Sequence, residues 1–240
     1  MEHADFVKHV REQAAALREA AVAAGPEAKV PSCPGWTVLD LVRHIANVHS
    51  RVAEILVAQD ITAPPEFPHA PKQWDESLEW WDARLATLVD RFAELDQDKP
   101  TWTFTAGLGT VRGWARRQAH ETAIHRVDAD LALGVDSRLI FDPGFAADGI
   151  DERLTLLPGD FGRTTASGTI LFHAADAGRA WTMTLRPGRT PDVTPALDAA
   201  IHTDAVVAGT ADAVYRAVWN RPSTAVITGA HELVEALPCP

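Results

Sequence analysis

The sequence predicts two domains: an all-α four-helix bundle over residues 1–138 and a smaller α+β domain over residues 139–240. Four stretches carry apolar residues at helical spacing, and each is bounded by proline, glycine or a capping residue. They lie at about 4–24, 37–58, 74–95 and 111–133. From about residue 140 the pattern changes to short, strand-like runs. A chain of 240 residues is long enough for two compact units, although one large domain is compatible with the same length.

The second helix has a clear start and one apolar face. Thr37 follows PSCPGW and is a suitable N-cap, with Asp40 three positions later as its partner in a capping box. The apolar stripe comprises Val38, Leu41, Val42, Ile45, Val48, Val52 and Ile55. The following segment, ITAPPEFPHAPKQ, contains four prolines, which exclude a regular helix and predict a loop packed over the bundle. Gly134 is expected to end the fourth helix.

The second half predicts mixed α and β structure. GTILFHAAD and AWTMTLRPG are separated by a glycine-containing turn and predict a hairpin. The other expected elements are an amphipathic helix near 143–157, a strand from Ala205 to Ala208, a helix near 210–219, a strand at AVITG and a short final helix.

Composition restricts the classes of function. The formal net charge of -11 opposes binding to nucleic acid, because phosphate recognition depends on Lys and Arg. The N-terminal segment carries charges throughout and has no long apolar run, so we expect a cytoplasmic protein with no membrane partner. The two cysteines, Cys33 and Cys239, cannot form a four-thiolate zinc site. Any metal ion must therefore be held by imidazole and carboxylate groups.

The fourth helix contains the sharpest motif, GWARRQAHETAIHRVDADLALG. His120 and His125 are five positions apart and diverge by roughly 140° around a regular helix, so both cannot face one ion as in the H-E-x-x-H pattern. Glu121 and His125 are four apart and lie one turn above the other. This pair can hold an ion, although solvated i,i+4 pairs of this kind are common.

A third ligand must come from another helix. The run LVRHIANVHS offers His44 and His49, which flank the apolar stripe on opposite sides. Periodicity does not choose between them, and a histidine at such a boundary is often only structural.

The runs VPSCPGWTVLDLVRHIANVHS and GWARRQAHETAIHRVDADLALG resemble the N-terminal metal-binding domain of the mycothiol-dependent maleylpyruvate isomerase family, within the DinB-like four-helix bundles. HAADAGRAWTM and DAVVAGTADAVYRAVWNR resemble that family's C-terminal domain, which is related to sterol carrier proteins. The resemblance implies that His44, Glu121 and His125 are the metal ligands and leave an open coordination position. Zinc is the expected ion; nickel, cobalt, iron and manganese also accept these ligands.

Five further residues are considered for the predicted site. Asp128 lies one turn beyond the pair on the fourth helix and can orient a ligand imidazole, or it is a solvated carboxylate. His120 and His49 are the alternates if an assigned ligand fails. We expect Cys33 to be a small, buried, apolar residue away from the metal. The resemblance makes Arg221 a candidate catalytic residue that can bind a carboxylate, although an arginine at a helix end often only satisfies carbonyl groups.

The resemblance implies a metal-dependent enzyme that uses mycothiol as thiol cofactor and acts on a small electrophilic substrate. A metal-bound thiol loses its proton near neutral pH. Addition of the resulting thiolate to a double bond, followed by its release, would isomerise the substrate. If the thiol stayed attached to the product, the reaction would be a transfer. Hydrolysis by metal-bound water is a third reaction type. The alternative is a non-catalytic, metal-containing protein that binds a ligand or a partner. A monomer and a homodimer are both compatible with the sequence.

Overall fold

The computed structural model of the protein describes residues 1–105, 107, 109–134, 139–155, 165–196, 202–235 and 237. The chain forms two compact units, Met1–Arg138 and Leu139–Pro240.

The first unit is a four-helix bundle, as predicted. Its helices are α1 (His3–Ala24), α2 (Val38–Val57), α3 (Trp74–Glu94) and α4 (Val111–Ala132). Helix α1 packs mainly against α4, and α2 packs mainly against α3 while also touching α4. A short antiparallel hairpin of β1 (Pro100–Thr101) and β2 (Gly109–Thr110) precedes α4 and was not expected from the sequence. Among the described helices, none combines the length and apolar character needed to cross a bilayer.

Local interactions fix the start of α2. The Thr37 hydroxyl accepts a hydrogen bond from the Asp40 amide at 3.3 Å, and the Asp40 carboxylate accepts one from the Thr37 amide at 2.9 Å. This reciprocal capping box satisfies amide groups that the first helical turn leaves without partners. The capping predicted for Thr37 and Asp40 is confirmed, and it fixes where the apolar stripe of α2 begins.

The proline-rich segment between α2 and α3 packs on the bundle, as expected. The carbonyl oxygen of Pro71 accepts hydrogen bonds from the Arg43 and Ser77 side chains, both at 2.9 Å. The amide of Ala70 donates to the Asn47 side chain at 2.7 Å. Side chains from α2 and α3 therefore supply the hydrogen bonds that a proline-rich backbone cannot form with itself.

The second unit has mixed α and β structure, which confirms the predicted α+β class. Its elements are α5 (Pro143–Thr155), β3 (Gly168–Ala174), β4 (Arg179–Leu185), β5 (Asp192–Pro195), β6 (Ala205–Gly209), α6 (Ala211–Val218), β7 (Val226–Gly229) and α7 (His231–Glu235). The sheet has the order β5-β4-β3-β6-β7. Strand β3 pairs antiparallel with β4, as the predicted hairpin requires, and parallel with β6. The sequence did not predict β5, and residues 156–157 of the expected first helix lie outside the described residues.

At the β7 edge of this sheet, the backbone of Gly229 lies very close to the backbone of Asp204, just before β6. The Thr169 amide and hydroxyl donate to the Asp204 carboxylate at 2.7 and 2.9 Å, which ties β3 to the start of β6. The Ala230 amide donates to the Asp204 carbonyl at 2.8 Å, directly after Gly229. Gly229 has a φ of 81°, and a Cβ atom there would overlap the Asp204 carbonyl oxygen and lie 3.1 Å from the Ala205 Cα. Only glycine fits this position without displacing the β6 backbone.

We predict that Gly229→Ala destabilises the second unit by about 3 kcal/mol, because it combines a left-handed backbone with a backbone clash. Gly178→Ala is the matched control: Gly178 also has a positive φ, of 60°, but a Cβ there meets nothing within 4 Å. It should cost only about 1 kcal/mol. Hydrogen exchange of peptides from β6 and β7 measures both effects. An equal loss of protection in the two variants would contradict the steric argument.

Candidate metal centre

Three side chains from two helices converge in the first unit. The Nε2 atom of His44 on α2 lies 3.1 Å from Oε1 of Glu121, and Nε2 of His125 lies 3.4 Å from the same oxygen. All three candidate ligand atoms are within 4.8 Å of one another. Glu121 and His125 are one turn apart on α4, so the helix itself places them together, whereas His44 reaches them only because α2 packs against α4.

The donor set suits a divalent transition metal. Atoms bound at about 2 Å in a tetrahedral arrangement lie ~3.3 Å apart, close to both distances from Glu121 Oε1. Two imidazoles and one carboxylate are ligands of zinc, and they leave one position of a tetrahedron open. The residues present therefore fit a bound divalent ion of this class.

Asp128 fixes the orientation of one candidate ligand. Its Oδ2 atom lies 2.9 Å from Nδ1 of His125, so an Nδ1–H group donates to the carboxylate and directs Nε2 at Glu121. The Ser32 hydroxyl donates to the other oxygen of Asp128 at 2.5 Å. Asp128 is fully buried, which excludes the alternative of a solvated helix carboxylate.

The expectation that Cys33 lies away from the site is wrong. Its Sγ atom is 3.5 Å from Oδ2 of Asp128, and the residue is half-buried. The turn at Cys33 brings the loop before α2 back over α4, and backbone hydrogen bonds from Cys33 to Val30 and from Trp36 to Cys33 hold it there. The sequence placed Cys33 near α2 but gave no measure of how this loop packs on α4.

Trp36, at the end of the same loop, forms a wall of the site. Its ring is stacked on His125 with a centroid distance of 6.1 Å and contacts the His44 ring at 5.0 Å. The His44 side chain remains 35% exposed and that of Glu121 18% exposed. The cluster therefore packs against an aromatic ring and remains partly exposed to solvent.

The charges of the cluster are strongly coupled. Burial alone would raise the pKa of Glu121, but the Arg117 charge and hydrogen bonds with His125 and His44 outweigh it and hold that pKa well below its usual value. For His125, burial alone would lower the pKa, yet hydrogen bonds with Asp128 and Glu121 raise it to about 9. Without a metal, His125 is therefore protonated at neutral pH, and an ion would take the place of its Nε2 proton.

The two alternate histidines lie outside this cluster. His49 is fully buried: the Trp81 indole donates to its Nδ1 at 3.0 Å, and its Nε2–H donates to Thr122 Oγ1 at 3.0 Å. His120 is also buried, with its ring 6.3 Å from that of Phe6. Neither belongs to a candidate metal-binding group among the described residues. The structure thus separates His44 from His49, which the sequence periodicity did not.

Arg221 belongs to the second unit. It follows α6 and is only 7% exposed, and its Nη1 donates to the Trp219 carbonyl at 2.6 Å. The alternative role expected for Arg221 from the sequence was a hydrogen bond to a carbonyl group near a helix end. The structure contains this hydrogen bond. Arg221 also lines a cavity of about 570 Å³ together with apolar side chains of Leu154, Phe172 and Val207.

Three residues of the site were missed from the sequence. Arg117 donates to Oε2 of Glu121, Ser32 holds Asp128, and Trp36 packs on both histidine rings. The i,i+4 spacing of Arg117 and Glu121 was a usable signal. Nothing in the sequence indicated that Ser32 and Trp36 reach α4, because that contact depends on tertiary packing.

Comparisons with known proteins agree with this architecture. Residues 7–130 match the family model described as the mycothiol maleylpyruvate isomerase N-terminal domain, which confirms the resemblance found from the motifs. Crystal structures of the mycothiol-dependent maleylpyruvate isomerase and of a mutant of it are similar, with TM-scores of 0.65 and 0.69. Each is 12% identical and covers 100% of this chain and 97% of the other. No curated protein matches the sequence. At this identity the structural likeness establishes the fold alone.

We predict a pH-dependent contribution of His49 to stability. Burial lowers its pKa to about 3 from 6.5, outweighing the opposing attraction of Glu121; the nearby His44 and His125 lower it further. Between these pH values the unfolded chain binds a proton that the folded chain does not. The stabilisation by neutral His49 is therefore complete above pH 6.5 and is lost as the pH falls towards 3.

His49→Gln should reduce the free energy of unfolding by about 2 kcal/mol at pH 7.5, through lost packing and hydrogen bonding. The advantage of the wild type should shrink by about 1.4 kcal/mol per pH unit below pH 6.5. Urea unfolding of metal-free protein, followed by the helical circular dichroism signal, measures the difference. The exposed His69 provides the control substitution, His69→Gln. A constant difference between wild type and His49→Gln across this pH range would refute the argument.

Proposed function

Because the chain belongs to the family of the mycothiol maleylpyruvate isomerase N-terminal domain, we propose that it is a divalent-metal-dependent enzyme that uses a low-molecular-weight thiol. The observation that carries this proposal is the convergence of His44, Glu121 and His125 at one partly exposed point. The proposed ion is zinc and the proposed thiol is mycothiol. When bound, the ion would lower the pKa of a thiol in contact with it, so that a thiolate nucleophile is available near neutral pH.

The residues of the chain have separable tasks in this proposal. His44, Glu121 and His125 supply the donor atoms, and Asp128 keeps the Nδ1–H of His125 engaged so that Nε2 faces the ion. Trp36 packs against both imidazole rings. The exposed side of His44 then defines where the thiol and substrate approach.

The proposed substrate is a small electrophile, and isomerisation of the maleylpyruvate type is the reaction that the family favours. Thiol transfer and hydrolysis would use the same donor set. Arg221 is a proposed catalytic residue, because a guanidinium group can bind a carboxylate through two parallel hydrogen bonds. We propose a cytoplasmic location, a monomer or homodimer, and no nucleic-acid or membrane partner.

The metal site is tested by elemental analysis of untagged protein. Wild type should contain about one equivalent of a divalent transition metal, and His44→Ala, Glu121→Ala and His125→Ala should each lose most of it. His69→Ala replaces an exposed histidine in the proline-rich loop and should keep the ion. Circular dichroism checks that each variant is folded.

The loaded wild type should then convert a small electrophile, with maleylpyruvate as the first substrate, only when mycothiol is present. A wild type that takes up no metal, even after reconstitution, would disprove the enzyme proposal in this form. Metal binding with no thiol-dependent turnover across a substrate panel would favour the non-catalytic alternative.

The cavity of the second unit supports a second candidate function, the binding of an apolar ligand that bears a carboxylate. The cavity has a volume of about 570 Å³ and is lined largely by apolar side chains, including Phe172, Val207 and Ile227. Buried Arg221 is the cationic group on its wall. Apolar walls with a few polar groups are typical of ligand-binding cavities, which usually enclose 300–1,000 Å³.

Decanoate is a suitable probe for this cavity. Ala217 lies on the cavity wall, so Ala217→Trp should fill the space and weaken decanoate binding by roughly tenfold or more. Ala175→Trp places the same side chain on an exposed turn and should leave binding unchanged. Isothermal titration calorimetry measures both affinities. Equal affinity in the two variants would show that decanoate does not occupy the cavity.

A further inference from the structure

The two oxygens of Glu121 have different partners. Oε1 faces Nε2 of both His44 and His125, at 3.1 and 3.4 Å, and is the atom that belongs to the candidate metal-binding group. Oε2 instead accepts a hydrogen bond from Nη2 of Arg117, one turn earlier on α4. The carboxylate is therefore divided between a metal-facing oxygen and an arginine-facing oxygen.

Arg117 is well placed to maintain this division. Its side chain is only 11% exposed, and that of Glu121 is 18% exposed, so solvent screens the pair weakly. The i,i+4 spacing means that the helix holds the guanidinium and the carboxylate together without help from another element.

We propose that Arg117 is a positioning residue that restricts Glu121 to one metal-facing oxygen and makes the occupied site selective for an anionic thiol. This inference rests on the proposed metal-dependent function. With Oε2 held by Arg117, Glu121 cannot take up a second coordination position, so that position stays available to an incoming ligand.

Charge balance gives the second part of the inference. When both imidazole ligands are neutral, the negative charges of Glu121 and Asp128 together balance the two positive charges of a divalent ion. Arg117 then adds one positive charge. The occupied site then carries a net charge of about +1 and attracts a thiolate more strongly than a neutral thiol. Removal of Arg117 would leave a neutral site whose carboxylate is free to bind through both oxygens.

The test uses Arg117→Gln, with Arg117→Lys to restore the charge. Arg126→Gln is the matched control, because it removes one positive charge from the same helix, where Arg126 donates to Gln13 on α1 at 3.0 Å. Each purified full-length protein is loaded with Co²⁺. Its visible spectrum reports coordination, a competing chelator gives the metal affinity, and thiocyanate titration gives the affinity for an anion.

We expect Arg117→Gln to bind Co²⁺ at least as tightly as wild type, because a neighbouring positive charge is removed, but to bind thiocyanate roughly tenfold more weakly. Its cobalt spectrum should change before any anion is added, since Glu121 then offers both oxygens. Arg117→Lys should recover most of the anion affinity, and Arg126→Gln should match wild type in both measurements.

Unchanged thiocyanate affinity in Arg117→Gln, or loss of both cobalt and thiocyanate binding, would overturn the inference; the second result would mean that Arg117 merely supports the fold of the site. A wild type that binds no Co²⁺ would instead disprove the proposed metal-dependent function. The two failures are therefore distinguishable.

Discussion

In the first unit, the carboxylates of Glu121 and Asp128 are largely removed from water, and neighbouring groups compensate their negative charges. Asp128 is fully buried and the Glu121 side chain is 18% exposed, and an uncompensated charge in either position would cost several kcal/mol. Glu121 is balanced by Arg117 and by the two imidazoles of His44 and His125, while Asp128 is balanced by His125. These contacts join α2 to α4, and the Ser32 hydroxyl in the loop before α2 adds a hydrogen bond to Asp128. The interactions that make burial tolerable therefore also bring the candidate metal ligands together.

Helix α2 shows how burial gives two histidines of one helix different roles. His44 is at the rim, with its side chain 35% exposed and its Nε2 towards Glu121. His49 is fully buried, and both its ring nitrogens are engaged, by Trp81 from α3 and Thr122 from α4. The buried histidine connects three helices, and the rim histidine remains available to a ligand. The hydrogen bonds of His49 tie α2 to α3 and α4, and they help to keep α2 and α4, which carry the candidate ligands, in position.

The second unit is built by different means. Its sheet joins a local hairpin to a parallel strand, β6, that returns after a crossover, and the Asp204 carboxylate secures the start of that strand through Thr169. The unit encloses an apolar cavity with Arg221 on its wall.

The sequence by itself determined most of the elements and the local groupings, although not the β1–β2 hairpin or β5. Periodicity and capping located all four bundle helices to within about two residues, because helix ends depend on neighbouring residues such as Thr37 and Asp40. Helical spacing also placed Glu121 beside His125. Tertiary structure alone decided which histidine of α2 completes the cluster, that the loop before α2 reaches Asp128, and that β3 pairs with β6. These contacts join residues far apart in the chain, so they depend on how whole elements pack, and no local pattern encodes that packing.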